Sequence, residues 1–278
     1  MRLAVFSDIH SNHIALEACF EEAEKRGADL WVFLGDYVSD CACPHKTMEL
    51  LYTAQKTHDC RFVKGNREEY LLNHHKNGSD WAYGQTTGSL LYTYENMTAK
   101  DLYFIDSLPM TDVIRIDGTD PIRICHGAPY KTRVELKPGN GRVPQVLETV
   151  QEPVLLGGHS HTQFTEQVGE KLYVNPGSLG IPTTGIPQAE MAFLEWNGQS
   201  WVPELVHVPY DIEAVVREMT EAGLPECTSV WAHCIVKGLR TAHNYAMDCL
   251  NLAGKLAGSG SMTNAHLVQA AKQLGILE

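Results

Sequence analysis

Apolar and polar positions divide the 278-residue chain into short strand-length runs and longer helical patterns. Leu3 to Phe6, Leu30 to Leu34, Arg61 to Val63, Ile122 to Cys125, Val154 to Leu156 and Leu172 to Val174 are brief and mostly apolar, and each stops at Gly, Asp, Asn or His. Runs of this length bounded by turn-forming residues predict strands. Between the first three, Ile14 to Arg26 and Thr47 to His58 space their apolar residues three and four apart, which is the helical period. Strand, helix, strand, helix, strand predicts βαβ units and a parallel sheet. Met191 to Trp196 and Trp201 to Val208 flank Asn197-Gly198-Gln199-Ser200, a hairpin signal, so antiparallel strands are expected in the second half.

Glu68 to Leu108 reads as helices and polar loops inserted over the strand ends, with Thr98-Ala99-Lys100-Asp101 as one helix start. Beyond Val208, Asp211 is placed to cap a helix running to about Ala222, and helical patterns follow over Leu239 to Leu256 and Thr263 to Leu274. Gly258-Ser259-Gly260-Ser261 is a flexible joint between these two patterns. The predicted organisation is therefore a main domain over residues 1–208, with 68–108 inserted, and an all-helical extension over 209–278.

Charge narrows the function classes. Lys and Arg number 22 against 34 Asp and Glu, a net charge of −12, which argues against nucleic acid as a partner because that needs a basic surface. A small phosphorylated ligand stays compatible, since bound divalent ions reverse the field locally. No apolar run approaches the roughly 18 residues of a membrane span, and no membrane partner is expected. Met1 leads straight into a strand-like run without signal-peptide anatomy, so a cytoplasmic location is expected. The eight cysteines include no Cys-x-x-Cys pair and read as free thiols, with Cys41 and Cys43 as a minor redox candidate. A chain this long folds without a structural metal, so any metal site would serve function.

The chemistry lies at the strand ends. Asp8-Ile9-His10 follows the first predicted strand, Gly35-Asp36 the second, Gly65-Asn66-Arg67-Glu68 the third, His126-Gly127 the fourth and Gly157-Gly158-His159-Ser160-His161 the fifth. Asp8, His10, Asp36, Asn66, His126, His159 and His161 supply the carboxylate, imidazole and amide oxygen donors that divalent metals take. If extended, Asp8 with His10, and His159 with His161, would each project two donors toward one pocket. With 13 His in the chain, one His-x-His pair is close to a chance event, and Gly-Asp or Gly-Asn is ordinary turn chemistry. The coincidence of all five blocks at C-terminal strand ends is what points to a site, because ligands of open α/β sheets bind at that edge.

The ordered set Asp-x-His, Gly-Asp, Gly-Asn, His-Gly and Gly-His-x-His resembles the calcineurin-like metallophosphoesterase superfamily over about residues 1 to 208. His126-Gly127-Ala128-Pro129 and Asn175-Pro176-Gly177-Ser178 resemble its small bacterial and archaeal phosphodiesterase-type branch. The resemblance implies an α/β fold, a four-layer α/β/β/α sandwich with a helical insertion and a helical appendage. It implies two divalent ions, Mn, Fe or Zn, one held by Asp8, His10, Asp36 and His161 and the other by Asp36, Asn66, His126 and His159, with Asp36 bridging. The implied activity is hydrolysis of a phosphodiester or a nucleotide-type phosphoanhydride by a metal-bridging hydroxide. A phosphomonoesterase or protein phosphatase of the same fold is the alternative, and a non-catalytic binding scaffold, as in a retromer subunit that resembles these enzymes, is a further one.

One position departs from the family pattern. Many members carry His directly after Gly-Asn, where this chain has Arg67, which can hold a phosphate bidentately but cannot act as a general acid. Either the leaving group is already good or a nearby His, among His13, His45, His74 and His75, donates instead. Asn12 is a candidate phosphate contact by family position, although Asn is also among the best helix N-caps. Trp81, Tyr83, Tyr92 and Tyr94 could form an aromatic wall for a nucleobase, or could be core of the insertion.

Overall fold

The computed structural model describes all 278 residues. In β1 (Arg2–Phe6) and β2 (Leu30–Phe33) every residue after Arg2 is buried, because the sheet they form is covered on both faces. Side chains alternate across a strand, so Leu3, Val5, Leu30 and Val32 meet Ile122, Ile124, Val154 and Leu156 of a second sheet. Ala4, Phe6, Trp31 and Phe33 face the other way, into a core shared with α1 (His13–Lys25) and α2 (Pro44–Thr57). A smaller cluster of Cys125, Leu155 and Tyr173 lies under α6 (Arg142–Glu148) on the outer face of the second sheet. The layers are thus helix, sheet, sheet and helix, as the family resemblance implied.

The first sheet is ordered β10-β9-β1-β2-β3, with β3 at Cys60–Phe62 and the hairpin β9 (Ala189–Trp196) and β10 (Trp201–Val208). β1, β2 and β3 are parallel, and β9 runs antiparallel to both β1 and β10. The second sheet is ordered β4-β5-β6-β8-β7, where β5 (Ile122–Cys125), β6 (Val154–Leu156) and β8 (Lys171–Asn175) are parallel. Its antiparallel edges, β4 (Thr111–Ile114) and β7 (Phe164–Val168), escape the sequence reading, since their polar, half-exposed residues carry no apolar run.

The insertion forms α3 (Asn66–Asn77), α4 (Gly88–Glu95) and α5 (Ala99–Ser107), the last opened by a Thr98–Asp101 capping box at the expected place. In the extension, α7 (Ile212–Glu221) starts on the Asp211 cap. The pattern expected over Leu239 to Leu256 is instead two helices, α9 (Trp231–Thr241) and α10 (Tyr245–Ala257), broken where Ala242 turns left-handed at φ 49° and Asn244 caps the second. α11 (Asn264–Gln273) follows the glycine-serine joint. Together with the short α8 (Leu224–Cys227), α7 and α9 pack Val215, Met219 and Ile235 against Cys41, Ala42 and Ile181 of the sandwich. No helix is long and apolar enough to cross a membrane.

Candidate metal centre

All seven predicted donors come together at the C-terminal edge of the sheets. Asp8 and His10 follow β1, Asp36 follows β2, Asn66 opens α3 directly after β3, His126 follows β5, and His159 and His161 follow β6. The extended strand-end geometry expected for the two His-containing pairs is not what brings them in. Asp8, His10, Asp36, His159 and His161 all have left-handed backbones, with φ between 51° and 65°. That conformation costs energy in a non-glycine residue and recurs at functional sites, where the surrounding structure holds it. Glycine makes the close packing possible: a Cβ at Gly65 would run into Asp36, and one at Gly158 into Ser7 and Asp8.

Five of the donors, His10, His126, His161, Asp8 and Asp36, are anchored at one end by the surrounding structure. His126 Nδ1 lies 2.8 Å from the Leu34 carbonyl, and His161 Nδ1 lies 2.8 Å from that of Ile181. His10 Nδ1 is 3.1 Å from Asp40 Oδ2. Carbonyl and carboxylate oxygens only accept, so each Nδ1 donates and each Nε2 is turned inward as a ligand. Asp8 Oδ2 accepts from Ser7 Oγ at 2.6 Å and His159 N at 2.9 Å, while its Oδ1 is buried without a partner. Asp36 Oδ1 accepts from Arg67 N at 2.8 Å.

The free ends converge. His161 Nε2 is 3.2 Å and His10 Nε2 3.8 Å from Asp8 Oδ1, and the two nitrogens are 3.1 Å apart. His126 Nε2 is 3.4 Å from Asp36 Oδ2 and 3.2 Å from Asn66 Oδ1. Donor groups fall into the sets Asp8–His10–His161 and Asp36–His126–His159, each able to hold a metal ion. Asp36 Oδ2 also lies 3.9 Å from His10 Nε2, between the two sets. With the Nδ1 protons pointing outward, these inner contacts bring lone pairs together and favour positive charge among them, and divalent metals fit this donor set.

The electrostatics carry the same demand. Burial opposes charge on His10, but the nearby carboxylates of Asp40 and Asp8 outweigh it and lift its pKa to about 9. Burial likewise opposes charge on His126, yet Asp36 and Asp8 raise it to about 10. Burial would raise the Asp36 carboxyl, but the His126 charge lowers it to about 2. Protons thus supply the positive charge that a divalent ion would otherwise bring.

Asp40, which the sequence reading passed over, is the hub of the surroundings. Its buried carboxylate binds His10 Nδ1, Arg67 Nη2 at 3.0 Å, Ser39 Oγ at 3.0 Å, Ser89 Oγ of α4 at 3.1 Å and Trp231 Nε1 of α9 at 2.8 Å. One group therefore orients a candidate ligand histidine, holds Arg67 and ties down both the insertion and the extension. Burial acts to raise its pKa, but Arg67 and His10 hold it far below the carboxylate range. Glu68 is a second missed residue. It accepts from Asp36 N and Tyr37 N, both at 2.9 Å, and from Gly65 N at 2.7 Å, joining the loops after β2 and β3. Its only local signal is the third helical position, where a capping carboxylate is common.

Several expectations need correction. Asn12 does not reach the cleft: its Oδ1 caps α1 through Ala15 N at 3.1 Å, and its Nδ2 donates to Gly180 O at 2.9 Å, so the capping reading holds. None of His13, His45, His74 and His75 lines the cleft, so none stands ready as a replacement acid. The aromatic residues of the insertion do not wall it either. Trp81 stacks on His74 at 4.4 Å, Tyr92 donates to Ala42 O, and Tyr83 reaches Glu95. The aromatic residue facing the cleft is Trp231, from the extension. Arg67 does line it, and its Nε is buried without a partner.

Residues 1–199 match the model of the calcineurin-like phosphoesterase superfamily domain. An uncharacterised protein of Methanocaldococcus jannaschii is 28% identical over 241 residues, spanning 81% of this chain and 94% of that one. A hypothetical protein from Pyrococcus horikoshii OT3 superposes with a TM-score of 0.73 at 21% identity, covering 87% of this chain and 98% of that chain. A metallophosphoesterase from Sphaerobacter thermophilus superposes with a TM-score of 0.66 at 25% identity, covering 87% and 100%.

Proposed function

The chain belongs to the calcineurin-like phosphoesterase superfamily, and from that premise we propose that it is a dinuclear metal-dependent phosphohydrolase cleaving a phosphodiester or a phosphoanhydride. The observation that carries this reading is the convergence of ligand atoms on one centre, with Asp8 Oδ1 buried without a partner and the Nε2 atoms of His10, His126 and His161 turned toward it. Asp8, His10 and His161 would hold one divalent ion, Asn66, His126 and His159 the other, and Asp36 would serve both. When bound, such ions acidify water and neutralise phosphoryl oxygens.

The chain's own residues then set the chemistry. Arg67, fixed by Asp40 at 3.0 Å, presents a permanent cation to the phosphoryl group and contributes binding without moving a proton. With no free histidine of the insertion in the cleft, the leaving group departs unassisted, which suits the weakly basic oxygen of a phosphoanhydride or an activated diester. The test is hydrolysis of a phosphodiester, a phosphomonoester and a dinucleoside polyphosphate by manganese-reconstituted protein, with Asp36→Asn as the blank. Turnover of the diester or the polyphosphate that the variant lacks is expected. Turnover of the monoester alone would replace this reading with a phosphomonoesterase, and none at all in metal-loaded protein would replace it with a binding scaffold.

A further inference from the structure

The cleft above the metal centre holds about 450 Å³ and has two unlike walls. One comes from the helical extension and presents Trp231, Ile235 and Met247, with no charged side chain. The other comes from the segment after β5 and presents Arg133 and Arg142. Arg67, Arg123 and Arg240 each have a carboxylate within 3.0 Å, while Arg61 on the far side of the fold reaches only the Cys60 carbonyl. Arg133 and Arg142 have no such carboxylate. The Arg133 guanidinium lies 5.4 Å over the Tyr70 ring, and Arg142 reaches only the Glu135 carbonyl at 3.4 Å. Glu135, the carboxylate on that wall, is turned to Lys137 at 2.7 Å.

The same two arginines border an adjoining depression of about 410 Å³ that also contains Lys131 and Tyr130, a residue 58% exposed. Arg133 and Arg142 thus border both spaces, the one that holds Arg67 and the one that holds Lys131. A single scissile phosphoryl group is already served by the metal ligands and Arg67. Two further guanidiniums without counter-charge match additional phosphates, whose oxygens they bind as a planar fork.

We propose that the cleft takes an oligophosphate chain, with the scissile phosphoryl group at the metal centre and the next phosphates along the chain held by Arg133 and Arg142. This rests on the phosphohydrolase reading above and narrows it to a phosphoanhydride. In the reaction, a water oxygen forms a bond to the scissile phosphorus as the P–O bond to the neighbouring phosphate breaks. The bonding pair stays on the departing phosphate oxygen. One water proton remains on the product phosphates and the other passes to solvent. The departing phosphate is a weak base, so the absence of an acid at position 67 costs the reaction little.

The experiment compares wild type with Arg133→Ala/Arg142→Ala in two readouts. The first is calorimetric binding of a methylene-bridged nucleoside triphosphate analogue, which needs no turnover. The variant is expected to bind roughly tenfold or more weakly, the loss of charge-assisted hydrogen bonds. The second is the ratio of kcat/KM on a dinucleoside polyphosphate to kcat/KM on bis(4-nitrophenyl) phosphate, expected to fall by a similar factor. Equal analogue binding by the two proteins, or an unchanged ratio, overturns the proposal. Weakened analogue binding in protein that hydrolyses neither substrate supports the subsite while removing the phosphohydrolase reading. Inorganic tripolyphosphate as competitor identifies the recognised part: displacement of the analogue from wild type, lost in the variant, assigns it to the phosphate chain. Failure to displace overturns recognition of the chain itself.

Discussion

Two groups of metal-ligand side chains occur in this protein, and they differ in what their polar atoms face. At the junction of α1, α2 and α7, His13, Cys43 and Glu218 lie as close together as the donors of the strand-end sets. There Glu218 Oε1 already receives Lys46 Nζ at 2.6 Å and faces His13 Nε2 at 3.4 Å, and its Oε2 accepts from Cys43 Sγ at 3.3 Å. Burial, with Glu218 adding to it, pushes the Cys43 thiol up to about 11, so it stays protonated. His13 Nδ1 alone is left without a partner, and it is not the nitrogen facing Glu218. An internal cation completes this cluster, whereas the strand-end centre has its protons turned outward and its lone pairs inward. Proximity of ligand residue types is therefore a poor guide, and unsatisfied donors are the better one.

The largest expected break in that contrast is Asp36→Asn, which removes the carboxylate lying between the two strand-end sets. Turnover should fall about a thousandfold or more, and elemental analysis should find less than the wild-type metal content in a protein of native circular dichroism. Near-normal turnover in well-folded protein would sink the assignment.

Asp40→Asn comes next. Removing the charge that orients His10 should weaken metal binding by about 10- to 100-fold, read by competition with a chromophoric chelator. Unchanged affinity would show that Asp40 serves only to tie Trp231 and Ser89 in place.

Glu190 offers a third environment, a buried carboxylate held by Thr184 and Ser178 with no histidine beside it. Burial raises its pKa to about 7, where Asp36 beside His126 falls to about 2. Because the folded value exceeds the ordinary glutamate value of 4.5, the native state binds more protons, so the stabilisation is full below about 4.5 and is lost as pH rises through about 7. Glu190→Gln should flatten the pH dependence of stability across that window by up to about 3 kcal/mol, measured by urea melts. A wild-type slope in the variant would assign the dependence to another group.

The smallest effect is expected from Glu218→Gln. Metal content should match wild type, and stability should change by less than about 1 kcal/mol, as for a partly exposed ion pair. A drop in bound metal would make the helix-junction cluster a genuine site and overturn the distinction.

The legibility of the centre follows from where each residue lies. Asp8, Asp36 and His126 could be read because each lies within three residues of the end of a strand whose apolar run marks it. Asn12 and Trp81 were open to two readings because a cap and a phosphate contact, or a core aromatic and a stacking wall, use the same residue type. Asp40 and Trp231 were invisible: their bond joins positions 191 apart in the chain, and no local pattern announces it. Arg133 and Arg142 carry no local signal of a role, and only the extension, as the opposite wall, makes them line a cleft.

What the amino-acid order determined alone was the alternation that buries both faces of β1 and β2, the helical periods between them, and the donor residues at the strand ends. These are short-range consequences of side-chain period and turn chemistry, complete within a few residues. What tertiary structure decided was which donor atoms are left unsatisfied, which carboxylate becomes a hub, and which cations face the cleft. Those outcomes depend on burial and on partners from distant segments, since a polar group's energy is set by what replaces its water on folding.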